Sequence, residues 1–327
     1  MRDIGIDLGT TNILIYVKGK GIVLNEPSVV SIDKNTKKII ALGNESKEML
    51  GKAPDDIEII KPMKDGVIAD FDITEEMLQK FLVKTVGKKR ITKPRILICC
   101  PSNITGVEKN AIREMAERMG ARKVYIEEEP KVAAVGAGID ITKPSGSMIV
   151  DIGGGTTDIA VLSLGGIVTS KSLKIAGNTF DEDIIDYIKE KYKIIIGEKT
   201  AEEIKVTIGT TLKETTKKEM EVTGRSINTG LPETITVNSN DVLEALKNDL
   251  KKIINEVKTV LEKTPPELSA DIKEKGIILT GGGSLITGLV DKLRKELKIP
   301  VFISESPLTN VVEGTAYLLE NSLLLDN

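Results

Sequence analysis

The sequence predicts an α/β fold made of two duplicated halves, each with a mixed sheet, that face one another across a cleft. Two observations carry this reading. The segments IGIDLGTTNILIYV (4–17) and MIVDIGGGTTDIAVLSL (148–164) share one pattern: an apolar run, an Asp, a glycine-rich turn with threonines, and a second apolar run. Strand-like runs then alternate with amphipathic helices in a similar order after each copy. The first half is expected over 1–143, with a small insert at about 31–66, and is completed by 309–327; the second covers 144–308, with a small insert at about 179–240.

Each repeated segment reads as a β-hairpin, because strand-length runs of Ile, Val and Leu flank a turn at Gly9 or at Gly153 to Gly155. GIVLNEPSVVSID and KKIIALG continue as strands, and Glu45 to Leu50 reads as a short helix. The stretch 73–86 has apolar residues at helical spacing, with Thr74 as its expected N-cap. RILICCP is a buried strand in which alternation points Cys99 and Cys100 to opposite faces, and GVEKNAIREMAERMG is a helix closed by Gly120. After the second hairpin, strand GGIVTSKSLKI leads to Gly177 and the helix FDEDIIDYIKEKY. The insert adds helix TAEEIKVTIGTTLK and strands MEVTGRSI and ETITVN, before a long helix over 241–264 that stops at Pro265 and Pro266. The chain closes with strand GIILT, the turn Gly281-Gly282-Gly283, helix LITGLVDKLRKEL, strand PVFIS and a helix from about Asn310 to Asn321, onto whose end NSLLLDN is expected to pack.

Composition excludes several functions. With no histidine, zinc sites and histidine-based acid–base schemes are ruled out, so any hydrolytic chemistry rests on carboxylates, hydroxyls and a metal. A net charge of −3, no Trp and only five Tyr and four Phe argue against a nucleic-acid surface. There is no apolar stretch near membrane-spanning length and no signal peptide, so a cytoplasmic protein is expected.

The two hairpin turns carry the chemistry. A turn without β-carbons can aim several backbone N–H groups at one anion, and neighbouring threonine hydroxyls add donors. An Asp at the mouth of such a turn repels a phosphate unless a cation lies between them, and Mg²⁺ keeps most of its waters while leaning on one or two carboxylates. Asp7 and Asp151 are therefore assigned to the hydrated metal of a Mg-nucleotide. Either turn alone is an ordinary hairpin tip; the repetition makes the case.

Taken together, DLGTTN, GKGIVLNEPSVV, PMKDGVIADF, EEEPKVAAVGAG, PSGSMIVDIGGGTTDIAVLSLGGIVTS, LEKTPPELSADI and ILTGGGSLITGL resemble the actin-like ATPase superfamily, and within it most closely the MreB family of bacterial actins, in the same order over nearly the whole chain. The resemblance implies an actin-like (ribonuclease H-like) fold with ATP or ADP and Mg²⁺ in the cleft. It implies phosphate contacts from Thr10, Thr11 and Asn12 and from Gly153, Gly154, Gly155 and Thr156. Glu129 takes the place of the residue that orients the attacking water, with Thr157 as a second candidate. Glu202 and Lys205, on one helix face, are expected at the ribose, and Gly281, Gly282, Gly283 and Ser284 at the adenine. Two departures stand out: Thr11 replaces a usual alanine, and Lys131 replaces an apolar residue just after Glu129-Pro130.

The resemblance also implies partners. Similar proteins stack head to tail into filaments, lie on the inner face of the plasma membrane and meet membrane-bound morphogenesis proteins. An N-terminal amphipathic anchor is not expected, and membrane contact is expected from GKKRITKP (87–94), through Lys88, Lys89, Arg90, Ile91 and Lys93. The leading expectation is a cell-shape cytoskeletal protein with slow ATP hydrolysis. A plasmid-segregating filament and a small-molecule kinase of the same fold are the alternatives.

Overall fold

Residues 4–17 and 147–163 each form the antiparallel hairpin that their apolar runs predict, and each hairpin seeds a five-stranded mixed sheet. The computed structural model describes residues 3–87, 93–102, 104–213, 217–321 and 324–325. Along the first half run β1 (Ile4–Leu8), β2 (Asn12–Val17), β3 (Gly21–Pro27), β4 (Val30–Asp33), β5 (Ile39–Leu42), α1 (Asn44–Met49), β6 (Ile57–Ile60), the two-residue β7 (Met63–Lys64) and β8 (Val67–Ile68), α2 (Phe71–Val86), β9 (Arg95–Cys100), α3 (Gly106–Arg118), β10 (Lys123–Glu128) and α4 (Glu129–Gly136). There follow β11 (Ser147–Ile152), β12 (Thr157–Ser163), β13 (Gly166–Leu173), α5 (Gly177–Tyr192), β14 (Ile194–Ile195), α6 (Glu198–Ile208), β15 (Glu219–Ser226), β16 (Pro232–Asn238), α7 (Ser239–Lys263), α8 (Pro266–Lys275), β17 (Ile277–Thr280), a 3-10 turn (Gly282–Leu285), α9 (Leu289–Leu297), β18 (Val301–Ile303) and α10 (Asn310–Glu320).

The duplication extends to topology. One sheet has the order β10-β9-β1-β2-β3 and the other β18-β17-β11-β12-β13. In both, the first strand of the hairpin pairs antiparallel with its hairpin mate and parallel with a strand that arrives from later in the chain. Smaller three-stranded sheets, β5-β4-β6 and β14-β15-β16, accompany the two large ones.

Burial follows the strand period. Cys100 joins the core that packs α2 and α3 on the first sheet, while Cys99 joins a central core shared by both large sheets, α4 and α10. Helices α4 and α10 cross with their backbones in near contact. A β-carbon at Gly136 would lie 1.8 Å from the Asn310 carbonyl oxygen, and one at Gly314 would lie 2.0 Å from that of Val132, so only glycine permits this approach. Helix α10 packs on β1, β2 and β9, and Arg95 ties its end down by donating to both Asp3 carboxylate oxygens and to the Leu319 carbonyl.

Four local expectations are corrected. Helix α2 starts earlier than Thr74, because Asp70 caps it by accepting from the Ile73 N–H at 3.0 Å, while the buried Thr74 hydroxyl donates back to the Asp70 carbonyl. The segment PELSADIKEK is helical, since Pro265 and Pro266 end one helix and supply the fixed φ that begins the next. Helix α9 starts at Leu289 instead of Leu285, because the left-handed Gly288 (φ 80°) separates it from the 3-10 turn. The last helix ends at Glu320, although Leu325 still reaches the central core. Lys88, Lys89, Arg90 and Ile91 lie outside the described residues, and Lys93 is exposed. Among the described residues, no helix is long and apolar enough to cross a membrane.

Candidate functional site

The two hairpin turns meet. A β-carbon on Gly154 would lie 1.7 Å from Thr11 Oγ1, and one on Gly155 would lie 2.5 Å from Thr10 Oγ1, so the tips pack against each other at a distance only bare backbone allows. Above them opens a cavity of about 520 Å³, within the range of small-molecule and cofactor sites. Its wall includes Asp7, Thr10, Thr11, Asn12 and Glu129 from the first half, and Asp151, Gly153, Gly154, Gly155, Thr156, Glu202, Lys205, Gly281, Gly282 and Gly283 from the second. Long stretches of chain separate these groups, the shortest being residues 130–150, and the two sheets bring them to one place.

Two expected residues do not reach the cavity wall. Across the second hairpin Asp151 pairs with Asp158 and Ile152 with Thr157, and cross-strand partners share a face. Asp158 therefore faces the cleft with Asp151, while Thr157 turns away, fully buried, and donates to the Ile175 carbonyl at 2.6 Å. Ser284 is also buried, and its hydroxyl closes the 3-10 turn by donating to the Gly281 carbonyl at 2.6 Å.

The floor is a cluster of carboxylates withdrawn from water. Burial pushes the Asp7 carboxyl up to about 7 and that of Asp151 up to about 8. Burial, reinforced by Asp158, Asp7 and Asp151, raises Glu129 well above the usual carboxylate range. Asp158 is also raised by burial, although the Ser102 N–H and hydroxyl donate to it. Neither Asp7 nor Asp151 has a cationic partner among the described residues. Two desolvated carboxylates at phosphate-type turns fit a divalent ion, and among the described residues no group of three carboxylates is placed to hold it directly. The residues thus suit an ion that keeps most of its water.

Other wall residues carried no local sequence signal. Asn178, at the start of α5, accepts from the Thr11 hydroxyl at 3.2 Å, so the unusual threonine joins the two halves. Gly66 donates its N–H to Thr10 Oγ1, and Ser28 donates to the Gly9 carbonyl, which holds the first turn in shape. Lys205 donates to Asp181 and to the Gly177 carbonyl, both at 2.8 Å. Asp181 Oδ1 remains buried without a partner, and its carboxyl is pushed up to about 6 by burial, partly offset by Lys205. Lys131, the second departure, points away from the cleft, paired with Glu127 at 2.9 Å and donating to the Leu324 carbonyl.

Two mixed sheets of identical connection, closing their hairpin turns on one polar cavity, define a two-lobed fold of the actin-like class, and comparison with solved structures agrees. MreB5 of Spiroplasma citri bound to AMPPNP superimposes with a TM-score of 0.94 at 42% identity, covering 98% of this chain and 97% of that one. A MamK double helical filament shares the fold at a TM-score of 0.83 and 24% identity, covering 98% of both chains. The profile of the MreB/Mbl protein family matches residues 1–326, and the chain belongs to that family. Similar proteins include the cell shape-determining protein Mbl of Bacillus cereus, 60% identical over 98% of this chain and 96% of its own, and the cell shape-determining protein MreB of Escherichia coli, 50% identical over 98% and 93%.

Proposed function

We propose that this protein is a cell-shape-determining cytoskeletal element that binds ATP or ADP with Mg²⁺ between its lobes and polymerises head to tail at the inner face of the plasma membrane. The observation that carries the reading is the convergence of both duplicated turns, with Asp7 and Asp151, on one cavity. Relatives named as cell shape-determining proteins, and a solved relative holding AMPPNP, support it.

In this reading the backbone N–H groups of the two turns, with Thr10, Thr11 and Thr156, grip the phosphates. Asp7 and Asp151 hold the ion through its waters, and the ion when bound supplies the positive charge that lets both carboxylates stay ionised beside the phosphates. Glu129 orients the attacking water at the head of α4, and slow hydrolysis weakens the filament. Asp181, Glu202 and Lys205 take the ribose hydroxyls, and the glycine turn at 281–283 lies against the base. Head-to-tail contacts are heterologous and do not close, so they extend into a polymer. The basic segment 87–94 adds attraction to anionic lipid, multiplied along a filament.

Calorimetry with ATP or ADP and Mg²⁺ tests the site, and electron microscopy with and without anionic liposomes tests the polymer. Saturable heat and straight filaments that bind the liposomes are expected. No heat from either nucleotide overturns the reading.

A further inference from the structure

Two ion pairs cross the mouth of the cleft. Lys47 Nζ of α1 meets Glu202 Oε2 of α6 at 2.9 Å, and Lys61, just beyond β6, meets Glu198. Both lysines ride on the unit built by β5, β4 and β6, while both glutamates stand one turn apart on a single face of α6. All four residues line the cavity, so the pairs tie the two halves together beside the space a ligand would fill.

We propose that these pairs form an electrostatic clasp between the small units of the two halves, which sets the rate at which a bound nucleotide escapes. The inference rests on reading the cleft as a nucleotide site and adds its regulation. Each pair forms only when the lobes are close together, and a ligand that bridges the turns favours the same closed shape. Release then requires both pairs to part. The ligand need not compete for the clasp: Lys47 engages Glu202 Oε2 and leaves Oε1 for a sugar hydroxyl. All four side chains are partly exposed, between 37% and 60%, so the clasp is weak and sensitive to salt, unlike the buried floor.

The test is the dissociation rate of a fluorescent ADP analogue, chased with excess ADP in stopped flow, for the full chain with Mg²⁺. Charge reversal by Lys61→Glu is expected to raise the rate about threefold to tenfold at about 50 mM KCl and to lose most of its effect at about 1 M. The swap Lys61→Glu with Glu198→Lys restores the pair and returns the rate to near wild type. Lys47→Met with Lys61→Met releases fast at every salt concentration. A swap as fast as the single reversal, or a wild-type rate indifferent to salt, overturns the clasp.

Small-angle scattering of the nucleotide-free protein reads the same clasp without a ligand. The wild type is expected to expand as salt rises, and the double methionine variant to be expanded throughout; equal radii overturn the proposal. A wild type that binds no nucleotide refutes the site itself, while its scattering still decides the clasp.

Discussion

The floor and the mouth of the cleft join the same two halves by different physics. At the floor, Gly154 lies against Thr11, Thr11 donates to Asn178, and Ser102 donates to Asp158 through its N–H and hydroxyl at 3.4 and 3.2 Å. These contacts are partly buried and none pairs a cation with an anion, so salt barely touches them. At the mouth, Lys47–Glu202 and Lys61–Glu198 stand in half-exposed positions where ions screen them. The difference suggests a division of labour in which the floor fixes where the lobes meet and the mouth governs how often they part.

The largest expected effect comes from forcing the floor open. Gly154→Val places new carbon where Thr11 now lies, an overpacking cost of about 1–3 kcal/mol, which corresponds to about fivefold to about 150-fold in ATP affinity by calorimetry. If Gly154→Val binds ATP as tightly as wild type, contact between the tips does not organise the site.

A middle effect concerns the floor carboxylates. In the metal-free folded protein Asp7 holds its proton to about pH 7 and Asp151 to about pH 8, whereas both start from an ordinary value of 3.8. The folded state therefore binds more protons than the unfolded one across this window, and stability falls as pH rises from about 4 to about 8. Asp151→Asn removes part of that slope, so its melting temperature is expected to exceed that of wild type at the upper end of the window and to match it near the lower end. Its nucleotide affinity should lose most of its dependence on Mg²⁺. Parallel melting-temperature profiles for the two proteins would show that Asp151 does not titrate as burial requires.

The smallest effect sharpens the comparison. Thr11→Ala removes one partly buried hydrogen bond to Asn178, worth about 1 kcal/mol, and is expected to weaken nucleotide binding about fivefold at any salt concentration. A loss that vanishes at high salt would place Thr11 with the mouth instead.

How much of this was legible in the sequence depends on the range of the interaction. The hairpins were legible because alternation and glycine turns are local, and their repetition pointed to one cavity walled by both. Register was not used to its full extent: pairing Asp151 with Asp158 would have sent Asp158, and not Thr157, to the cleft. The role of the Ser284 side chain was not legible either, since its hydroxyl closes its own turn. Lys47, Lys61 and Glu198 resemble any solvated charge on this chain, and nothing local distinguishes them.

The sequence by itself determined the duplicated α/β halves, the glycine turns and the two aspartates at their mouths, because each depends on residues close together in the chain. Only the tertiary structure decided that Thr11 reaches Asn178, that Asp158 joins the floor and that lysines of one half meet glutamates of the other. Those contacts span long stretches of sequence, and no local periodicity encodes which exposed charge will meet which.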